Sequence, residues 1–103
     1  MRHAFTMKLK PGGAAEYKRR HDELWPELAR VLREAGISDY SIFLDERTST
    51  LFAVQTLTAD NTAHLLPQHR LVRKWWDSMA PLMEVHPDRA PICGELKEMF
   101  YLE

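Results

Sequence analysis

The sequence contains only one cysteine, Cys93, so it can form neither an internal disulfide nor a cysteine-based metal site. Unpaired thiols are typical of proteins from reducing compartments, and we therefore expect a cytoplasmic location. An isolated cysteine most often serves as a small packing residue, and we assign no chemistry to Cys93.

Long apolar runs and concentrated charge are lacking as well. No apolar run approaches the roughly 20 residues that cross a bilayer, and residues 1–6 lack the apolar centre of a signal peptide. Basic and acidic residues are balanced at 14 and 15, for a formal net charge of −1. Nucleic-acid phosphates need a concentrated basic surface, which this balance does not provide. We expect neither a membrane nor a nucleic acid as a partner.

Motifs for cofactors and metals are also missing. Residues 11–13, Pro-Gly-Gly, lack the lysine and the spacing of a phosphate-binding loop. His64 and His69 do not have the spacing of zinc ligands, and His3 and His86 are isolated in the sequence. The sequence therefore favours chemistry that needs no cofactor and no metal and is limited to proton transfer, or plain binding.

The chain is expected to form one domain, residues 1–103. Apolar alternation predicts strands over residues 3–9, 39–45, 50–58 and 95–102. Helical periodicity predicts helices over residues 14–35 and 69–83. Pro26 should bend or split the first helix, and Gly36 should end it. Residues 59–68 are ambiguous, although Asp60 could cap a short helix that ends before Pro67.

The order β-α-β-β-α-β predicts an α+β, ferredoxin-like fold, in which two helices cover one face of a four-stranded antiparallel sheet. The other face would expose Phe43, Phe52 and Val54. An apolar sheet face of this size should find a partner. We therefore expect a homodimer in which two sheet faces meet, with part of residues 100–102 in the interface.

The first predicted helix carries a titratable pair on its apolar face. Positions three and four apart share a helix face, and one such stripe holds Tyr17, His21, Leu24, Leu28, Val31, Leu32 and Ala35. Polar groups on a buried stripe need partners there, or else line a cavity. Because histidine titrates near neutral pH, His21 is a candidate for proton transfer, with Tyr17 one turn before it. The pattern alone slightly favours the alternative, a buried histidine bonded to the backbone.

Trp75 and Trp76 are adjacent on the second long helix, so they point about 100° apart and could form two walls of a hollow. Indole faces bury the apolar C–H faces of sugars well, and the indole N–H can still donate a hydrogen bond. Core packing is the alternative, and the pattern alone favours it. Tyr40, at the head of the second strand, is a third amphipathic aromatic residue that alone indicates nothing.

A series of short segments runs in order through nearly the whole chain: Ala4-Phe5 with Met7, Glu16-Tyr17, Arg19-Arg20-His21, Trp25-Pro26-Glu27-Leu28, Asp39-Tyr40-Ser41-Ile42, Leu44-Asp45, Leu51-Phe52-Ala53, Trp75-Trp76 with Met79, Pro87-Asp88, Pro91, Glu95-Leu96 and Phe100-Tyr101-Leu102. By this series the chain resembles the L-rhamnose mutarotase family. It departs from the family's usual pattern at Asp22-Glu23 and over residues 58–72. The second departure bears on the pocket entrance and on sugar preference.

The resemblance implies ferredoxin-like subunits that dimerise through their sheets into a dimeric α/β barrel. It implies an isomerase of carbohydrate metabolism that interconverts the α and β anomers of L-rhamnose without metal or organic cofactor. It also implies that His21 is the proton donor, and that the sugar is bound by Tyr17, Tyr40, Trp75 and Trp76.

Mutarotation requires a proton for the ring oxygen and a base for the anomeric hydroxyl. We expect His21 to be the acid, and a water, a tyrosine or a carboxylate such as Glu98 could be the base. Two alternatives are a non-catalytic ferredoxin-like dimer that binds a small ligand or a partner protein, and a monooxygenase on the same scaffold, working without a cofactor or with haem.

Overall fold

The computed structural model describes all 103 residues. Its elements are strands β1 (Arg2–Lys8), β2 (Ile37–Asp45), β3 (Thr50–Leu57) and β4 (Gly94–Leu96), and helices α1 (Ala14–Asp22), α2 (Pro26–Glu34) and α3 (Arg70–Met79). Two 3₁₀ helices flank α3, over Ala63–Gln68 and Ala80–Leu82. None of the helices combines the length and the apolar composition that a bilayer crossing requires.

The strands form one four-stranded sheet in the order β2-β3-β1-β4, and every neighbouring pair is antiparallel. The predicted α+β class with a four-stranded antiparallel sheet is therefore confirmed. Alternate residues of a strand point to opposite faces. Met7 of β1 lies opposite Leu51 of β3, and Ile42 of β2 lies opposite Ala53, so these apolar residues share the helix-covered face.

The core lies between this face and the helices. Its buried residues are Met7, Leu9, Tyr17, Leu51, Ala53, Met79 and Met83. Removing each large apolar side chain from water contributes about 1.5–3 kcal/mol. Because α1 supplies Tyr17 and α3 supplies Met79, both helices are held against the same sheet face.

The long first helix is split, one of the two outcomes expected of Pro26. α1 ends at Asp22, and Pro26 is the first residue of α2, where its missing N–H costs no intrahelical bond. Gly36 follows the end of α2 with a φ of 95°, the left-handed conformation expected of it. A Cβ at Gly36 would lie 2.4 Å from the Thr58 hydroxyl oxygen, so glycine is needed there for space as well.

Two details around α3 differ from the prediction. The ambiguous segment is a 3₁₀ helix over Ala63–Gln68 that includes Pro67, and its N-cap is Thr62 rather than Asp60. The α-helix ends at Met79, and the chain continues as a 3₁₀ helix over Ala80–Leu82. Pro81 has no N–H to continue the α-helical ladder, which explains the early end.

The last strand is shorter than predicted. A strand over residues 95–102 is wrong, because β4 covers only Gly94–Leu96. In the antiparallel register Ala4 lies opposite Leu96, so the same register would bring Arg2 opposite Glu98. Beyond that point β1 has no residues left to pair with. Residues 99–102, which are all exposed, therefore have no partner strand within this chain.

β2 contains a bulge at the head of the strand. Ser38 lies opposite Thr56 and Ser41 opposite Val54, so Asp39 and Tyr40 share the space opposite one residue of β3. Asp39 adopts the left-handed conformation, with a φ of 48°. Such bulges bend a strand and redirect its side chains.

The second face of the sheet is apolar and uncovered, as expected. Phe43 lies directly opposite Phe52, and these residues are 64% and 38% exposed. Leu96 of β4 is also exposed, and its partner Ala4 belongs to the same outer face. Val54, the third residue expected on this face, is half-buried.

Candidate active site

The rings of Tyr17 and His21 are stacked on the inner face of α1. The two residues are one helical turn apart, and their ring centroids are 4.2 Å apart with the ring planes at 30°. Tyr17 is buried and His21 is half-buried. The helical spacing that singled out this pair in the sequence is therefore realised as a direct contact.

Trp75 of α3 continues this arrangement. Its indole meets the His21 ring edge to face, with centroids 5.3 Å apart. Trp75 also contacts Trp25 in the same edge-to-face manner, at 5.1 Å. Four aromatic rings from α1, α3 and the α1–α2 junction thus form one row, which we call the aromatic row: Tyr17, His21, Trp75 and Trp25. The His21 ring lies between a phenol and an indole.

Sequence reasoning missed Trp25, whose only signal was its place in the Trp-Pro dipeptide that starts α2. A tryptophan at a helix break has no periodicity to assign it to a face.

A cavity of about 1040 Å³ opens beside the aromatic row. All five residues predicted for the site border it: His21, Tyr17, Tyr40, Trp75 and Trp76. The wall is mostly apolar, and its deeper part is formed by core residues such as Met7, Leu51 and Met79. Tyr40 comes from the bulge of β2, and its ring meets Phe5 edge to face at 6.4 Å. A concave, mostly apolar cavity with a few polar groups is typical of small-molecule sites.

One nitrogen of the His21 ring is occupied by the backbone. Nδ1 lies 2.9 Å from the carbonyl oxygen of Tyr17. A carbonyl can only accept a hydrogen bond, so Nδ1 must be the donor and carry the proton. In the neutral ring Nε2 then has a free lone pair. Burial lowers the pKa of His21, while the bond to Tyr17 and the charge of Asp22 oppose this shift. His21 is therefore neutral at pH 7, with Nε2 as a proton acceptor.

The two tyrosines that border the cavity keep their protons. Burial is the main cause that raises the pKa of Tyr17 above its ordinary value, and burial also raises the pKa of Tyr40 to about 12. The Tyr40 residue as a whole is 38% exposed, and it borders the cavity. Both phenols are hydroxyl donors at neutral pH, and either could supply a hydrogen bond to a bound sugar.

The structure gives Glu98 and His3 partners that the sequence did not predict. Glu98, a candidate base, is outside the cavity: its carboxylate lies 3.4 Å from the guanidinium of Arg2, and both are exposed. His3, isolated in the sequence, bonds the Glu95 carboxylate at 2.9 Å and the Gln55 amide at 3.0 Å. Cross-strand pairing brings these three together, which sequence distance cannot show. No group of three or more His, Cys, Asp or Glu side chains could hold a metal ion.

Comparison with known proteins gives consistent results over the full chain. The family model described as L-rhamnose mutarotase matches residues 2–102. An L-rhamnose mutarotase of Rhizobium johnstonii is 52% identical over 101 residues, covering 98% of this chain and 95% of the relative. One of Flavobacterium johnsoniae is 52% identical over 103 residues, covering 100% of this chain and 96% of the relative. The crystal structure of an L-rhamnose mutarotase from Formosa agariphila superposes with a TM-score of 0.93 at 50% identity, over 100% of this chain and 99% of that one.

Proposed function

The chain belongs to the L-rhamnose mutarotase family, and we propose that His21 performs the proton transfer by which this isomerase interconverts the α and β anomers of L-rhamnose. The observation that carries the assignment of His21 is its ring geometry. Nδ1 is held by the Tyr17 carbonyl, and Nε2 is left available beside the cavity. The two alternatives, a non-catalytic binding protein and a monooxygenase, do not fit a family of sugar mutarotases.

The reaction opens and closes a pyranose ring. On opening, the anomeric hydroxyl loses a proton and the ring oxygen gains one. The C1–C2 bond of the open aldehyde then rotates, and the ring closes on the other face of the carbonyl. A positioned acid–base group contributes about 10²–10⁴-fold to such a step. A histidine can accept a proton in one step and donate it in the other, because its two protonation states are close in energy near neutral pH.

The protonation state of His21 sets the order of events. Neutral His21 begins as the acceptor and takes the proton of the anomeric hydroxyl on Nε2. The imidazolium formed in this way then returns a proton to the carbonyl oxygen when the ring closes. In this scheme His21 is the proton donor of ring closure, and the proton for the ring oxygen comes from another group. Tyr17 and Tyr40 border the same cavity, and their hydroxyls are protonated at neutral pH, so either residue could supply this proton.

Tyr17, Tyr40, Trp75 and Trp76 bind the sugar in this proposal. The tyrosine hydroxyls would bond sugar hydroxyls, and the indoles of Trp75 and Trp76 would cover the apolar C–H face of the ring. L-Rhamnose is a deoxy sugar with a methyl group, and the mostly apolar cavity wall suits that part of the ligand.

Anomer exchange can be measured directly by NMR. Saturating the α anomeric proton of L-rhamnose should transfer saturation to the β signal in the presence of the protein, at a rate well above that of buffer. If exchange were fast with His21 replaced by asparagine, the role proposed for His21 would be wrong. Testing related sugars in the same way would define the specificity.

We also propose a ferredoxin-like subunit that forms a homodimer through its outer sheet face. The strand order β2-β3-β1-β4, together with the order of strands and helices along the chain, supports the ferredoxin-like arrangement. The dimer is supported by the uncovered pair Phe43 and Phe52. It is also supported by residues 99–102, whose exposed side chains have no partner strand in their own chain.

Three predictions from the sequence are retained as part of this proposal. They are a single domain over residues 1–103, a cytoplasmic location, and the lack of nucleic-acid and membrane partners. The family match is compatible with each of them, because it extends over residues 2–102 and concerns the metabolism of a small sugar.

A further inference from the structure

Arg20 connects the helix that carries His21 to the helix that carries Trp75. Its Nε donates to the Glu16 carboxylate at 2.7 Å, one turn earlier on α1. Its Nη1 donates to the backbone carbonyl oxygen of Ser78, in the last turn of α3. It is the one α1 side chain that hydrogen-bonds the backbone of α3, and sequence pattern placed it only on the flank of the apolar stripe.

The position of the Ser78 carbonyl explains why a cation binds there. The last carbonyls of a helix lack intrahelical partners, and the helix dipole makes this end negative. Arg20 supplies a positive charge and a donor at that end, and its side chain is only 31% exposed. The hydrogen bond to Glu16 also holds the guanidinium. Hydrogen bonds from Arg19 and Arg20 lower the pKa of the Glu16 carboxyl to about 2, so this partner is ionised at neutral pH.

The contact between Arg20 and Ser78 is close in sequence to His21 on α1 and to Trp75 on α3. Arg20 directly precedes His21, and Ser78 follows Trp75 by less than one turn. The Ser78 hydroxyl donates to the backbone carbonyl oxygen of Trp75 at 2.7 Å, so the two residues are linked within one turn of α3. The bond from Arg20 to Ser78 and the contact of His21 with Trp75 therefore join α1 and α3 at adjacent points.

We propose that Arg20 is a positioning residue for the mutarotase reaction, which fixes the His21 ring against Trp75 by tying α1 to the last turn of α3. This inference rests on the proposed role of His21. Arg20 acts through the position of the imidazole and does not exchange protons itself. Misplacement of a reacting group by about 1 Å can cost about 10²-fold in rate, so loss of this tie should be visible in kcat.

The chain offers a matched control in Arg30 of α2. Arg30 pairs with the Glu34 carboxylate at 4.0 Å, four residues along the same helix, as Arg20 pairs with Glu16 four residues away on α1. The Arg30 side chain is 68% exposed, does not border the cavity and makes no hydrogen bond to α3. Arg30→Met and Arg20→Met therefore both remove a positive charge and an ion pair within one helix, and only the second removes the tie to α3.

The test compares Arg20→Met, Arg20→Lys and Arg30→Met at a temperature where the circular dichroism of each equals that of the parent. Anomer exchange at several L-rhamnose concentrations gives kcat and KM separately, and NMR gives the His21 ring-proton shifts. We expect Arg20→Met to lower kcat about 10- to 100-fold, by more than any rise in KM. We expect its His21 resonances to move, since the ring currents of Tyr17 and Trp75 act on them. Arg20→Lys keeps a cation near Ser78, so its kcat and its His21 resonances should lie between those of Arg20→Met and those of the parent.

Three outcomes would overturn the proposal. They are a kcat for Arg20→Met within about twofold of the parent, an equal loss for Arg30→Met, and a loss of kcat without any movement of the His21 resonances. Failure of the role of His21 would be recognised separately, because His21→Asn with Arg20 intact would then still exchange the anomers.

Discussion

Tyr17 holds His21 in two ways: its phenol stacks on the imidazole at 4.2 Å, and its backbone carbonyl accepts the Nδ1 proton at 2.9 Å. The carbonyl determines which nitrogen carries the proton, and the phenol limits where the ring can lie. The tautomer is therefore set by the backbone of α1 and survives any substitution of the Tyr17 side chain that leaves the helix intact.

His21→Asn should reduce enzyme-catalysed anomer exchange about 10²–10⁴-fold, because the asparagine amide can bond a sugar but cannot exchange protons near neutral pH. Saturation-transfer NMR at saturating L-rhamnose measures the loss. His64→Asn is the control, since His64 is exposed and does not border the cavity, and it should leave the rate unchanged. A rate close to that of the parent in His21→Asn would remove His21 from the mechanism.

The catalysed rate should fall as the pH drops below the pKa of His21. Burial lowers this pKa from its ordinary 6.5, and the neutral ring is the proton acceptor, so activity should be constant near pH 7 and lost only at more acidic pH. The folded state should also lose stability as the pH falls below about 6.5, because the unfolded histidine is protonated first. A pH–rate profile corrected for the buffer reaction, with a ¹⁵N NMR titration of the ring, tests both. A rate that falls as the pH rises through 6 to 7 would mean that protonated His21 starts the reaction.

Tyr40→Phe should weaken sugar binding with little change in fold. The substitution keeps the ring that meets Phe5 and removes only the hydroxyl. A lost hydrogen bond of this kind costs about 0.5–1.5 kcal/mol, so KM should rise about 2- to 10-fold. Tyr101→Phe is the matched control, because that phenol lies in the exposed C-terminal segment under the Arg2 guanidinium. Equal KM values for parent and Tyr40→Phe would show that the Tyr40 hydroxyl does not contact the sugar.

Placing charges on the outer sheet face should dissociate the dimer. Phe43→Asp combined with Phe52→Asp puts two carboxylates opposite each other in the centre of the proposed interface, where burial of unpaired charge is costly. Sedimentation velocity should then give a monomer, whereas the parent should give a dimer. Leu65→Asp, at an exposed apolar residue outside the sheet, controls for the added charge. A monomeric parent, or a double variant that remains dimeric, would contradict the interface.

Period and spacing predicted those parts of the fold that depend on local sequence. The stripe that joins Tyr17 to His21 was correct because helix geometry alone puts the two residues in contact. The alternation in β1 and β3 was correct because one side of each strand is buried. The end of β4 was wrong, since its alternating pattern continues to Leu102 while the partner strand starts at Arg2. Strand length there is decided by the register, which is not local.

In the candidate site, too, features set by local sequence could be predicted and features set by the packing of distant elements could not. The inward-facing positions of His21 and Trp75 could be predicted from helical spacing, but the pattern alone favoured packing roles, and only the family resemblance predicted a site. Trp25 and the tie from Arg20 to Ser78 could not be predicted, because both depend on how α1 and α3 approach each other. The cross-strand bonds of His3 likewise depend on pairing within the sheet.

The bulge of β2 adds one residue that the pairing of β2 with β3 does not need. If Asp39 were deleted, the pairs of Ile37 with Leu57 and of Ser41 with Val54 would be joined by regular alternation, with Tyr40 alone opposite Gln55. The shortened strand should fold as well as the parent or better, because the left-handed residue at φ 48° would be gone. The local bend that directs the Tyr40 phenol would be lost with it. A single-residue deletion should therefore separate folding from catalysis, leaving a stable protein with a misdirected sugar contact.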